Sequence, residues 1–206
     1  MLLAPGEYVA PKIITAKDEI TLYHKGTPEQ GFYVSYWPST DGKDQKSDVT
    51  RDLTAAVFRS LLLDEVRENL GATYSPGANS IASTRHDGYG YLSASVIAAP
   101  DKMAEISGAI AKITAQMIAN AIDADTLDRA RKPLLEALEK DQRENGDWLF
   151  YAARAQGNPE FLERKRAAKD LMLAVTSADI QAVAKEYLTE ANRLNVRIVS
   201  DKTKTQ

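Results

Sequence analysis

The chain has 206 residues, 44% apolar and 27% charged, with a net charge of −3, two histidines and no cysteine. That is an ordinary globular balance. Its interspersed charges exclude a basic patch for nucleic acid or a membrane surface, and no apolar run reaches the roughly 18 residues of a membrane span. The missing cysteine removes disulfides, thiolate metal sites and cysteine nucleophiles together.

The start, MLLAPGEYVAPK, has no basic n-region and does not read as an intact signal peptide; an exported parent would carry its signal outside this chain. Residues 1–12 read as a linker, 13–200 as one domain and 201–206 as a polar, frayed tail. Ile13 to Lys25 suits a hairpin or two short strands, with Ile20 and Leu22 on one face. Phe32 to Trp37 alternates as a strand. A polar loop then leads to Ser47 or Asp48 as the N-cap of a helix running to about Leu70. Its stripe Val49, Leu53, Ala56, Ser60, Leu63, Arg67, Leu70 steps by four and three, the spacing of one helical face. Gly71 follows where a left-handed cap often ends a helix.

Two strands come next, Thr73 to Ser83 and Tyr89 to Ala98, joined by the turn Arg85-His86-Asp87-Gly88. Five helices are predicted after them. One runs from an Asp101 cap to Asn120, and one from Asp123 or Asp125 to Asn145 with a kink or break at Pro133. The others are Asp147–Gln156, Phe161–Val175, and Ala178–Leu188 capped by Thr176. Leu194 to Val199 is a final strand. The order predicts an α+β fold, a mainly antiparallel sheet with helices packed on one face. The buried sheet face would hold Val34, Leu92, Ala94, Val96, Val196 and Ile198. The other would hold Tyr33, Trp37, Tyr89, Tyr91, Ser93, Ser95 and Arg197, aromatics and hydroxyls suited either to solvent or to another polypeptide.

Hydrolytic chemistry is hard to find. A zinc site needs about three N or O ligands, and helical zinc peptidases place two histidines on one face. Here His24 and His86 lie far apart, neither on a helix, and read as surface or turn residues. No GxSxG, phosphate loop or dinucleotide fingerprint is present, and the 29 carboxylates are spread over exposed helix faces. The residues predict no catalytic centre and no metal.

The pattern Arg67-Glu68-x-x-Gly71-x-x-Tyr74-Ser75, leaving a helix and entering a strand, resembles the C-terminal-half signature of the M16 zinc metallopeptidases, the family of pitrilysin, insulinase and mitochondrial processing peptidase. TYSPGANS followed by DGYGYLSASV, then DADTLDRARKPLLEAL, NGDWLFYAARAQGNPEFL and TSADIQAVAKEYL, resemble later landmarks in the same order, the fourth those of bacterial pyrroloquinoline-linked members. The resemblance covers roughly Ile20 to Ser200. It implies an M16 metallopeptidase-like domain from the inactive half, without zinc, whose zinc would sit in a partner catalytic domain. It implies that the chain is the last domain of a longer zinc metalloendopeptidase and helps to close a proteolytic chamber.

In the family, an arginine and a tyrosine of the inactive half reach the peptide near the metal; by position these are Arg67 and Tyr74. The implied partners are a peptide or protein substrate and the zinc-bearing domains of the same protein, with self-association left open, no nucleic acid and no membrane span. The resemblance favours the periplasm. Against these roles stand plainer ones: Arg67 capping carbonyls at a helix end while its head reaches water, and Tyr74 as a half-buried strand tyrosine. The whole chain has plainer readings too, a structural docking domain of the same fold or a free-standing peptide-binding module.

Overall fold

The computed structural model describes residues 19–69, 75–141 and 143–205. In chain order these form β1 (Ile20–His24), β2 (Gly31–Ser39), α1 (Gln45–Asn69), β3 (Pro76–Ala82), β4 (Gly90–Ala98) and α2 (Met103–Ala119). Then come α3 (Ala124–Asp141), α4 (Asn145–Ala155), α5 (Glu160–Ala174), α6 (Ser177–Tyr187) and β5 (Leu194–Ser200). One five-stranded sheet has the order β1-β5-β2-β4-β3, antiparallel except where β1 runs parallel to β5. Helices lie on one face, so the expected α+β class is the observed one. The reading of residues 1–12 as a linker, and of a strand before Glu19, falls outside the described residues.

Within each strand the predicted alternation holds, but the phase between strands does not. The β2–β4 register pairs Tyr33 with Val96 and Trp37 with Leu92, so these four share the helix-facing side. Tyr33 and Trp37, read as surface aromatics, are each only 1% exposed. Trp37 meets Phe58 of α1 edge to face at 5.9 Å, and the Tyr33 hydroxyl donates to Ser107 Oγ at 2.8 Å. Val34, Val196 and Ile198, read as facing the helices, point to the opposite side, where Val34 is nevertheless buried, 3% exposed. A row of apolar residues, Leu22, Ile198, Phe32 and Ile97, crosses four strands there. A one-residue phase error between strands exchanges the faces completely.

Under the sheet, α1 touches β3, β4, α2, α3, α5 and α6. Its buried row is Leu53, Val57, Phe58, Leu62 and Val66, a rotation of the predicted stripe. In α2, Ile106, Ile110, Ile113 and Met117 recur at three- and four-residue spacing and are fully buried. α3 is continuous through Pro133, and α4 packs on α5 through Phe150, Tyr151 and Phe161.

The helix caps fall partly where the sequence suggests. Asp44, rather than Ser47 or Asp48, caps α1: its carboxylate accepts from the Ser47 amide at 3.2 Å and from the Ser47 hydroxyl. Those bonds hold the Asp44 carboxyl below its ordinary range, the hydroxyl bond contributing most. Asp123 caps α3 by accepting from Thr126 N at 2.9 Å. Asp101 caps nothing, because it lies within a 3₁₀ turn at Pro100–Lys102 that precedes α2. Thr176 and Asp179 form the full reciprocal capping box on α6. In the tail, Asp201–Thr205 form a 3₁₀ turn, where the Thr203 hydroxyl donates to Ser200 O at 2.6 Å.

The connection from β2 to α1 is a junction for the whole domain. Arg51, 1% exposed, donates to Thr40 Oγ1 at 2.9 Å and to Asp41 O at 2.7 Å. The Asp41 carboxylate accepts from Gly88 N at 2.7 Å, and Gly42 N donates to Ser83 O at 2.9 Å, tying the loop to the β3–β4 hairpin. Gly88 takes φ +67° in that hairpin turn, a conformation that glycine adopts without strain. From α5, Arg164 donates to Gly42 O at 2.7 Å and to Lys43 O at 2.9 Å.

Candidate functional site

Arg67 lies in the last turn of α1 and is exposed, while its neighbour Val66 is 1% exposed and in the core. The arginine therefore does not interrupt the buried stripe, which runs through Val66. It complements the negative end of the helix dipole and makes no ion pair among the described residues. Tyr74, the second predicted site residue, lies outside the described residues, as does Gly71, predicted to take a left-handed cap.

The row Val49, Ala56, Ser60, Leu63, read from the sequence as one helical face, lines a groove of about 600 Å³ between α1, β3, α3 and α5. Leu53, from the same predicted stripe, is the member that is fully buried. Arg67 follows Leu63 by four residues, so it continues this row beyond the groove's end. Small side chains on both helices, Ala55, Ala56 and Ser60 facing Ala130 and Ala137, leave the space open.

The two long helices run in opposite directions along the groove. Arg129, early in α3, reaches Asp64, late in α1, at 3.9 Å. At the other end Lys169 of α5 pairs with Glu139 of α3 at 2.8 Å, and Arg164 of α5 with Asp48 of α1 at 3.3 Å. Asp52 and Asp141 therefore stand toward one end of the groove, and Arg59 and Arg129 toward the other.

The acidic end is electrostatically unusual. Asp52 opens onto the groove, yet the surrounding walls remove enough water to push its carboxyl up to about 6 from an ordinary 3.8. The nearby Asp48 charge adds to the rise, whereas the Ser80 hydroxyl and Arg51 oppose it. Asp48 itself is raised by burial, with Arg51 and Arg164 pulling it back. Between roughly pH 4 and 6 the folded chain holds an Asp52 proton that the unfolded chain has released, so stability falls as pH rises through that window. Asp52→Asn should therefore raise the melting temperature at pH 7.5, with the gain shrinking toward pH 4; thermal melts across that range provide the check.

His24 and His86 play the local parts expected of them. His24 Nδ1 accepts from Gly26 N at 2.8 Å, and His86 follows Ser83, whose hydroxyl accepts from the His86 amide at 2.8 Å. Among the described residues, no three His, Asp or Glu side chains come together in a way that could hold a metal ion. No helix among them is long and apolar enough to cross a membrane.

Comparison with known proteins gives this geometry a family. Residues 5–134 match the family described as the peptidase M16 inactive domain. The chain belongs to that family, whose description names an inactive domain. It is 27% identical over 139 residues to the chloroplastic stromal processing peptidase of Arabidopsis thaliana, covering 68% of this chain and 11% of that protein. An inactive peptidase domain from Bordetella parapertussis superposes with TM-score 0.68 at 13% identity, covering 84% of this chain and 94% of that one. The periplasmic protease PqqL of Escherichia coli superposes with TM-score 0.66 at 15% identity, covering 90% of this chain and 21% of that one. The chain thus spans a small part of the processing peptidase and of PqqL, and nearly all of the Bordetella domain.

Sequence reasoning placed Arg67 at the helix end but missed the groove beside it. The available signal was the run of Ala and Ser along one row of α1, matched by Ala130 and Ala137 in α3.

Proposed function

We propose that this chain, as a single domain over residues 13–200, is the non-catalytic C-terminal domain of an M16-type zinc metalloendopeptidase. It binds substrate peptide and helps to close the chamber, beside zinc-bearing domains of the same protein. The periplasmic location of PqqL supports the same compartment here. The observation that carries the reading is the exposed Arg67 at the end of α1, on the row that borders the groove, in a chain of the inactive M16 family. A guanidinium there can fork onto a peptide carbonyl or carboxylate. Tyr74, seven residues on, would add a hydroxyl donor to the oxyanion of the scissile carbonyl, where such donors contribute about 2.7–4 kcal/mol.

The test is peptide cleavage by variants of the full-length peptidase. Tyr74→Phe should lower kcat on the order of a hundredfold, as loss of one oxyanion donor does elsewhere. Arg67→Ala should in addition raise KM by loosening the peptide. Melts of the isolated chain complete it. Arg67 is exposed, so Arg67→Ala should cost within about 1 kcal/mol of stability. Near-normal kinetics with a strongly lowered melting temperature would make Arg67 a helix-end residue and leave the chain a docking domain.

A further inference from the structure

The groove beside α1 carries, toward one end, a carboxylate without an ion pair among the described residues and, toward the other, a guanidinium without one. At the acidic end Asp48 is paired with Arg51 at 3.4 Å and Arg164 at 3.3 Å, but Asp52 has no ion pair among the described residues. At the basic end Arg129 is engaged by Asp125 at 3.1 Å and Asp64 at 3.9 Å, whereas Arg59 has no ion pair among the described residues. The walls between them are apolar, from Ala55, Ala56, Leu134, Ala137 and Met172.

That arrangement selects among ligands by charge. A phosphate or other simple anion would meet Asp52 and Asp141, and a simple cation would leave Arg59 unanswered. A ligand carrying an amine at one end and a carboxylate at the other satisfies both. Length narrows the choice further. Asp52 and Arg59 are two helical turns apart, roughly 10 Å, and Asp141 and Arg129 are twelve positions apart, roughly 18 Å. An extended chain covers roughly 3.3–3.6 Å per residue, so about three to five residues span the groove. A single amino acid cannot reach both ends. The 600 Å³ volume falls in the range of sites that enclose a ligand of that size.

We infer that this groove is a binding site for short peptides with both termini free, the amino end on Asp52 and Asp141 and the carboxylate on Arg59. Such peptides have the chemical form of products released by endopeptidase cleavage. The site depends on none of the contacts proposed for Arg67 and Tyr74.

Calorimetric titration of the 206-residue chain at pH 7.5 with the pentapeptide Ala-Ala-Leu-Ala-Ala, both termini free, tests the inference. The expected result is saturable one-to-one binding, weakened about tenfold or more by acetylating the amino terminus and likewise by amidating the carboxyl terminus, a tenfold change corresponding to one decade in Kd. Asp52→Asn and Arg59→Gln should each give similar losses, and Arg67→Ala should give none. The terminal blocks need no protein variant, so a folding defect cannot mimic the outcome. No heat at millimolar peptide, equal binding of the doubly blocked peptide, or indifference to both groove substitutions would overturn the inference. A loss confined to Arg67→Ala would also overturn it while supporting the substrate reading of that residue.

Discussion

Gly90→Ala should lower the melting temperature by roughly 6–12 °C, the shift expected in a chain of this size for a destabilisation of about 3 kcal/mol, at the upper end for overpacking. The reason is a backbone contact. A Cβ on Gly90 would stand 2.0 Å from Thr40 O, 3.0 Å from Thr40 C and 2.9 Å from Ser39 Oγ. The Ser39 hydroxyl could turn aside, but the two Thr40 atoms are backbone and cannot. Relief requires moving the start of β4 away from the end of β2, against the Ser39–Gly90 register and the loop bonds beyond it. Gly31→Ala provides the comparison: its Cβ would meet Met103 Cε at 2.2 Å, and a methionine methyl can turn away. Its loss should stay near about 1 kcal/mol. Equal melting temperatures for the two variants would show that the Thr40 carbonyl yields freely.

Arg51→Met should cost about 3 kcal/mol in chemical denaturation, the low end for removing one partner of a buried charge network. The methionine replaces much of the aliphatic stem but none of the donors. Thr40 Oγ1 and Asp41 O lose their guanidinium, and Asp48 keeps only Arg164. Asp48 is already raised by burial, and Arg51 is the strongest influence holding it down. Without that cation the ionised form is costlier, so the loss should be larger at pH 7.5 than at pH 5. A loss of similar size at both values would mean that Arg51 acts through its neutral hydrogen bonds alone.

Both variants strike a loop whose importance was not visible in the sequence. Pro38 to Ser47 is polar and was readable as a connection, but nothing in it announces that a buried arginine and two strands converge there. The partners that decide its energy, Gly88, Gly90 and Arg164, come from residues far along the chain. Local signals fared better. The Thr176 cap and the Arg85–Gly88 turn each depend on residues within a few positions of one another, and both appear as read.

The sheet faces show where local reading ends. Alternation within β2 is plain, but whether Tyr33 or Val34 turns inward depends on its register with β4, and both choices bury apolar surface. Tyr33 goes inside because its hydroxyl finds Ser107 and its ring faces the helices with Val96. For the site, the helix-end position of Arg67 was legible. The open groove was not, because an Ala-rich helix row reads equally well as close packing. Only the separation between α1 and α3 distinguishes the two.

The sheet order also dictates a schedule for the polypeptide leaving the ribosome. β1 starts at Ile20, and its one described neighbour, β5, starts at Leu194. At about 5–20 residues per second, β1 waits on the order of 10–30 s for the strand that places it. Until then β2, β4 and β3 can form an antiparallel core, but β2 keeps a bare edge on the side that β5 will fill. A nascent chain arrested before Leu194 would therefore present an open strand edge and an unplaced first strand at once. Completion of the sheet falls to β5, the last of its described strands to be translated, which closes that gap.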